Sequence, residues 1–140
     1  MTAGPRSRAG RGFLRPVGHP PERARKFRQA AIAYLHYGIL YLFGAYALVE
    51  RGLFPQARGP EWMWFGAGIT IGAVVVWGLW WWQSPWFARA VWLLVALRLP
   101  TLIEGAFLGG GLEIGPGLYL AAGLVVIAVM WALARAAWDV

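Results

Sequence analysis

Two charged side chains stand inside an otherwise apolar part of this sequence and are its first candidates for chemistry. Arg98 and Glu104 lie in the stretch 85–107, which is rich in Leu, Val, Ile, Trp and Phe and has one further charged residue, Arg89, near its start. Ionisable residues in such surroundings are costly and often mark a binding site. Arg98 can only donate hydrogen bonds, so we expect it to bind a substrate, an ion or a lipid headgroup, with Glu104 as counter-charge. The alternative is structural: Arg98 reaches the membrane surface or pairs with an acid of a neighbouring helix or subunit.

Tyr41 and Thr70 are predicted to lie at the depth of Arg98 if the apolar stretches are helices. A rise of about 1.5 Å per residue puts Tyr41 about 18 Å and Arg98 about 20 Å from one end of the bundle. Thr70 lies about 12 Å from the other end, near the same level. Hydroxyls accept hydrogen bonds from a guanidinium, and a Tyr ring offers a cation–π face. The pattern predicts one polar layer.

His36 and the tyrosines beside it form a second candidate site. His36 lies about 10 Å inside the first apolar stretch, where a neutral imidazole could ligate a haem or pigment metal. The other histidine, His19, lies in a polar tail, so paired histidine ligation would need a second copy of the chain. Tyr34, Tyr37 and Tyr41 share one helix face and could form a slot for a quinone-like ring. Helix packing is the simpler role for all of these side chains, and we predict no bound cofactor.

The common catalytic signatures do not occur in this sequence. It has no cysteine, no phosphate-binding glycine loop, no HExxH pattern and no carboxylate pair within one apolar stretch. A thiol nucleophile, a zinc cluster and nucleotide hydrolysis are therefore not expected. We predict that the chain is not an enzyme.

The elements that carry these residues are predicted to be membrane-spanning helices. Hydrophobic residues make up 59% of the 140 residues and charged residues 14%, whereas soluble domains are about 25% charged. The stretches 29–49, 62–82 and 114–134 carry no formal charge, and each can cross a bilayer core of about 30 Å as a helix. We predict an all-α membrane protein with a four-transmembrane-helix bundle. Arg28 with Arg89, and Trp77 with Trp138, share one spacing, which indicates two tandem helical hairpins.

The stretch 85–107 is predicted to be the third of the four spans, with a kink. A span is needed here because the chain must cross again in 114–134, and a re-entrant loop is the alternative. Pro100 removes the backbone hydrogen bond to the Ala96 carbonyl and should bend the helix. Thr101 is placed to satisfy a neighbouring carbonyl.

The distribution of positive charge predicts the orientation and the surroundings of the chain. Eight of the thirteen Lys and Arg lie in the first 28 residues, and positive charge stays on the cytoplasmic side. Both termini are therefore predicted to be cytoplasmic, in the inner membrane of a bacterium with a GC-rich genome.

Residues 1–27 are predicted to be a flexible basic tail that binds anionic lipid headgroups. Nucleic-acid binding is not expected, since the tail lacks interleaved aromatics. The predicted cytoplasmic belt comprises Trp77, Trp80, Trp81, Trp82, Trp86, Trp131 and Trp138.

Small residues at helical spacing indicate close helix contacts, within the bundle or between subunits. They are Gly68 and Gly72, and Ala128, Ala132 and Ala136.

Three functions stay open at this point. The first is a structural or accessory subunit of a membrane complex or homo-oligomer. The second is a small transporter or channel protomer with a polar site around Arg98, and the third is a pigment or haem carrier with a single His ligand.

Overall fold

The computed structural model describes residues 20–50, 61–108 and 115–139, and nearly all of them are helical. Helix α1 is Pro20–Glu50, α2 is Glu61–Trp81, α3 is Pro85–Ala96, α4 is Arg98–Ile103 and α5 is Pro116–Trp138. A π-helical turn, Glu104–Leu108, follows α4 directly, so α3, α4 and this turn form one interrupted helix that we call the third span.

Four of these helical stretches are long and apolar enough to cross a membrane. They are Pro21–Ala47, Met63–Trp81, Pro85–Leu108 and Pro116–Trp138. The predicted all-α architecture with four spans is therefore confirmed, and the stretch 85–107 is helical except for a turn at Leu97. No strand occurs in the three described ranges.

Helix α1 begins well before the predicted start of the first span at Gln29. Pro20 and Pro21 suit the first turn of a helix, where a missing N–H costs nothing. Glu22 adds negative charge where the helix dipole favours it. Phe27 is fully buried, which anchors this turn. Residues 20–27, assigned from sequence to the flexible tail, are thus helical, while residues 1–19 lie outside the described residues, and with them His19.

The four spans form an incomplete ring of helices. Helix α1 packs against α2 and α5, and the third span packs against α5, whereas α2 and the third span contact each other much less. The chain therefore consists of two helical hairpins, α1 with α2 and the third span with α5, joined through α1 and α5. The ring is open between α2 and the third span.

The buried core is confined to one end of the bundle. It involves the start of α1, the end of α2, α3 and the second half of α5, so all its members lie where these four segments meet. We call this end the basic end, because Arg23, Lys26, Arg28, Arg89 and Arg135 lie there, and we call the other half of the bundle the open half. The core comprises Phe27, Ala30, Ala31, Val75, Leu79, Ala88, Val91, Val95, Val126, Val129, Leu133, Ala136 and Ala137.

Arginines hold the ends of two helices together at the basic end. Arg23 donates a hydrogen bond to the carbonyl of Gln83 (2.6 Å), just after α2, and Arg89 donates a long one to the carbonyl of Ala137 (3.4 Å) in the last turn of α5. Such carbonyls lack partners within their own helix, so a cation there satisfies them and complements the helix dipole. Lys26 forms an ion pair with Asp139, which ties α1 to the end of α5.

Tryptophan rings cover two arginines at the basic end. The guanidinium of Arg28 lies 5.3 Å from the ring centre of Trp80, and that of Arg89 lies 5.2 Å from Trp86 and 5.4 Å from Trp138. These cation–π contacts pack the aliphatic stems of the arginines against aromatic surface. They explain why the tight packing lies at this end.

Candidate functional site

The third span is interrupted where the polar residues begin. Leu97 forms a turn between α3 and α4, and its N–H still bonds to the Leu93 carbonyl. Pro100 cannot donate to the Ala96 carbonyl, so the α-helix breaks about one turn before it. Thr101 donates its hydroxyl to the carbonyl of Arg98 at 2.8 Å, which satisfies one carbonyl at the break, as expected from the sequence. The break sets the position of the Arg98 side chain.

Arg98 reaches across the bundle to α1. One terminal nitrogen of its guanidinium donates to the hydroxyl of Tyr41 at 3.0 Å, and the guanidinium carbon lies 4.8 Å from the centre of the same ring. Helix α1 and the third span do not pack against each other along their backbones. This side-chain contact is therefore a bridge between helices that are not neighbours in the ring, and both side chains remain exposed.

The tyrosines of α1 form a ladder beside this bridge. The ring centres of Tyr34 and Tyr37 are 5.7 Å apart, and those of Tyr37 and Tyr41 are 6.2 Å apart. Tyr34 and Tyr37 are half-buried and pack against the buried core. Neither hydroxyl makes a hydrogen bond to any residue that the structure describes. The ladder and Arg98 together form a cluster rich in donors.

Thr70 and Glu104 stand apart from this cluster. The Thr70 hydroxyl donates to the Gly66 carbonyl one turn earlier in α2 (2.8 Å), a common way for a hydroxyl in an apolar helix to satisfy itself. Glu104 lies exposed in the π-helical turn and forms no ion pair within residues 20–50, 61–108 and 115–139. The structure thus brings Tyr41 to Arg98, but neither Thr70 nor an acid.

His36 is exposed on α1 and bonds within its own helix. Its Nδ1 lies 2.8 Å from the Ile32 carbonyl, and because a carbonyl only accepts, Nδ1 must carry the proton. Nε2 then keeps a lone pair that could ligate a metal. Among the described residues no group of three His, Asp or Glu side chains could hold a metal ion.

The small residues predicted to mediate packing have different surroundings. Ala136 is fully buried, whereas Ala132 is half-buried and Ala128 is exposed. A Cβ at Gly68 would touch Leu42 at an ordinary 3.6 Å, and one at Gly72 would meet nothing within 4 Å. A role of these residues in contacts with another subunit stays a prediction.

Two glycines that the spacing argument passed over make the closest approaches. A Cβ at Gly78 would overlap the ring of Phe87, and one at Gly105 would overlap the ring of Tyr119. The first contact joins α2 to α3 across their short connection, and the second joins the third span to α5. Gly78 belongs to no small-xxx-small pair, so its only signal in the sequence was a glycine in a helix rich in large side chains, whereas Gly105 forms a GxxxG pair with Gly109 that the spacing argument did not use.

Comparison with known proteins yields no relative for this chain. No family model, no curated protein and no solved structure matches it. The interpretation of the site therefore depends on its own geometry.

Proposed function

We propose that the chain is a multi-pass protein of a bacterial inner membrane that serves as a structural or accessory subunit, in a larger complex or as a homo-oligomer. The observation that carries this proposal is the exposure of α2 and its many small residues in the open half. No residue from Met63 to Val74 is buried, and half of them are small: Gly66, Ala67, Gly68, Thr70, Gly72 and Ala73.

Such a half-helix fits against another helix. In lipid, apolar helices associate through small residues that let their backbones approach closely. Helix α2 packs mainly against α1 within its own chain, so its other faces in the open half lack a protein neighbour among the described residues. A helix of another protein, or of a second copy, would supply the missing contacts.

The proposed orientation places the basic end in the cytoplasm. Positive residues flank membrane spans on the cytoplasmic side, and the arginines of α1, α3 and α5 lie at this end, while Glu50 and Glu61 lie at the other. Exposed Arg25 and the basic residues that precede α1 would then meet anionic headgroups, each worth about 1 kcal/mol near the surface.

Single cysteines on α2 test the proposed subunit contact, because the natural chain has no cysteine. We expect Ala67→Cys or Thr70→Cys to form a disulfide-linked dimer, or a cross-link to another protein, when native membranes are oxidised. Leu124→Cys on α5, which is 70% exposed, is the matched control and should stay monomeric. Absence of any α2 cross-link, with a monodisperse monomer and no co-purifying protein by native mass spectrometry, would refute the proposal.

A second candidate function is that of a small transporter or channel protomer. The bridge from Arg98 to Tyr41 favours it, because a cation placed deep in a span marks many solute pathways. For such a function, Arg98→Leu should abolish transport or the associated growth phenotype without loss of insertion. A variant that inserts more readily and leaves both unchanged would exclude it.

A pigment or haem carrier is supported only by the free Nε2 of His36. Purification in mild detergent followed by an absorption spectrum tests it directly. A visible band that disappears in His36→Phe would support this function, whereas a colourless protein would exclude it.

A further inference from the structure

We propose that Arg98 binds the anionic head of an amphiphile, a carboxylate or phosphate group that carries an acyl chain. Tyr41 is the positioning residue that holds the guanidinium. The ligand enters sideways from the lipid, between α2 and the third span. This assignment goes beyond a role as accessory subunit and does not depend on it.

The entrance follows from the helix arrangement. The ring of spans is closed between α1 and α2, between α1 and α5 and between α5 and the third span, but it is loose between α2 and the third span. In the open half none of the described residues is buried, and α2 does not pack against α4 or the π-helical turn, so these two spans are separated there. Arg98 and Tyr41 stand at this half and are exposed, which makes them reachable from the gap.

The donors of the cluster outnumber its acceptors. Arg98 has five N–H donors, and the described residues supply one acceptor for its side chain, the Tyr41 hydroxyl. The Tyr37 ring centre lies 6.2 Å from that of Tyr41, the ring under the guanidinium, so it adds a further hydroxyl beside the bridge. An oxyanion would satisfy the remaining donors of Arg98, since it accepts several hydrogen bonds and carries the opposite charge.

Charge and depth narrow the class of ligand. Arg98 lies about 20 Å along the third span from Pro85 and about 15 Å from Leu108, near the middle of the span. No acid among the described residues pairs with it, so its charge at this depth lacks a counter-ion. A bound anion supplies one and offsets the cost of placing a guanidinium there.

The apolar side chains next to Arg98 and Tyr41 along their helices favour a ligand with an apolar body. Leu94 and Leu97 on the third span are 61% and 70% exposed, and Leu40 and Phe43 on α1 are 57% and 71% exposed. A free inorganic anion would have to cross this apolar surface without its hydration, which is costly. An acyl chain covers the same surface and carries its own head to Arg98. The observations therefore favour an amphiphile over a water-soluble ion.

Native mass spectrometry of the full chain in a neutral detergent tests the proposal. The probes are palmitate, phosphatidylglycerol, phosphatidylcholine and inorganic phosphate, each added alone. We expect one tight site for palmitate or phosphatidylglycerol, whose affinity falls about tenfold or more in Arg98→Gln, because a charge-assisted hydrogen bond is lost. Arg98→Lys keeps the charge and should retain part of the affinity. Thr70→Val, at a similar depth but outside the cluster, should bind like the natural chain.

The four probes distinguish the sources of the anionic head. Tight binding of palmitate assigns a free fatty acid, and tight binding of phosphatidylglycerol alone assigns a phospholipid headgroup. Equal binding of phosphatidylcholine, tight binding of inorganic phosphate by itself, or unchanged affinity in Arg98→Gln would overturn the proposal. A dimer that Arg98→Gln dissociates would assign Arg98 to a protein contact and would overturn it as well.

A second measurement needs no variant. A palmitate analogue with a photoreactive diazirine next to the carboxylate, added to the natural chain in membranes, should label α1 and the third span near Arg98. Competition by excess palmitate should remove this labelling. Labels confined to the basic end, or spread evenly over all exposed helices, would contradict the assigned site even if Arg98→Gln fails to fold.

Discussion

Arg98 is stabilised by an aromatic partner instead of an acid. A guanidinium over an aromatic face gains about 2 kcal/mol or more when both groups are desolvated, and the hydroxyl of the same ring accepts one of its N–H donors. This contact offsets part of the roughly 2.5–3.5 kcal/mol that a charged residue costs near the middle of a span. The remaining donors are what make Arg98 suited to a ligand.

At the same scale, Gly78 should tolerate no side chain. A Cβ there overlaps the ring of Phe87, so we expect Gly78→Ala to lower the free energy of unfolding by about 1–3 kcal/mol. Gly123→Ala on α5 is the matched control, because its Cβ meets nothing within 4 Å and alanine favours a helix by up to about 1 kcal/mol. Unfolding in mixed detergent micelles measures both. Equal stability of the two variants would contradict the close contact.

The hydrogen bond from Arg23 should contribute much of the stability of the contact between α1 and the end of α2. We expect Arg23→Ala to lower the free energy of unfolding by about 1.5–3 kcal/mol, because the bond to the Gln83 carbonyl involves a charged donor. Arg25→Ala, an exposed neighbour on the same helix, should change stability little. If both substitutions destabilise the protein equally, the loss of stability reflects the removal of a positive charge and not the loss of the hydrogen bond to the Gln83 carbonyl.

At the scale of the elements, the third span differs from the other three because it is not one regular α-helix. Its break at Leu97 and its π-helical turn enclose the short helix α4, which carries Arg98, Pro100 and Thr101. Irregular turns within a helix redirect side chains and often lie at functional sites. The interruption is what lets Arg98 meet α1, a helix that the third span does not pack against.

Replacement of Pro100 should straighten this span. Pro100→Ala restores a donor for the Ala96 carbonyl and removes a penalty of about 3 kcal/mol for proline within a helix. With spin labels at Leu93→Cys and Leu108→Cys, we expect the distance distribution to shift when Pro100 is replaced. Pro116→Ala, at the start of α5 where proline is tolerated, is the control and should leave it unchanged. The same distribution in both would show that Pro100 does not cause the break.

At the scale of the whole molecule, packing is tight at one end and loose at the other. The core, the ion pair of Lys26 with Asp139 and the tryptophan contacts all lie at the basic end. The open half has exposed apolar faces on every span. This asymmetry separates the part that stabilises the fold from the part available to a ligand or a partner.

Labelling of cysteines with a membrane-impermeant maleimide tests the proposed orientation of the whole chain. In intact cells we expect Gly115→Cys, at the start of α5, to react and Arg25→Cys to react only after permeabilisation, because the proposed orientation puts the basic end in the cytoplasm. Leu124→Cys within α5 should react in neither case, since lipid covers it. Labelling of Arg25→Cys in intact cells would reverse the orientation.

The sequence by itself determined the number and class of the spans and the depth at which Arg98 lies. Long runs without charge specify helices in lipid, and the fixed rise of a helix turns residue number into depth, which placed Arg98 level with Tyr41. The missing N–H of Pro100 likewise predicted that the third span is interrupted. These properties depend on local backbone chemistry and on solvent, so they can be derived without knowing which helices meet.

Only the tertiary structure decided which helices are neighbours and which side chains face each other. Thr70 has the right depth, but its hydroxyl bonds to its own helix at Gly66, and Glu104 has the right charge but no contact with Arg98. Gly78 approaches Phe87 closely, although its spacing indicated nothing. The rotation of each helix about its axis and the choice of its neighbours depend on contacts between residues far apart in the chain. The helical periodicity of the sequence does not reveal those contacts.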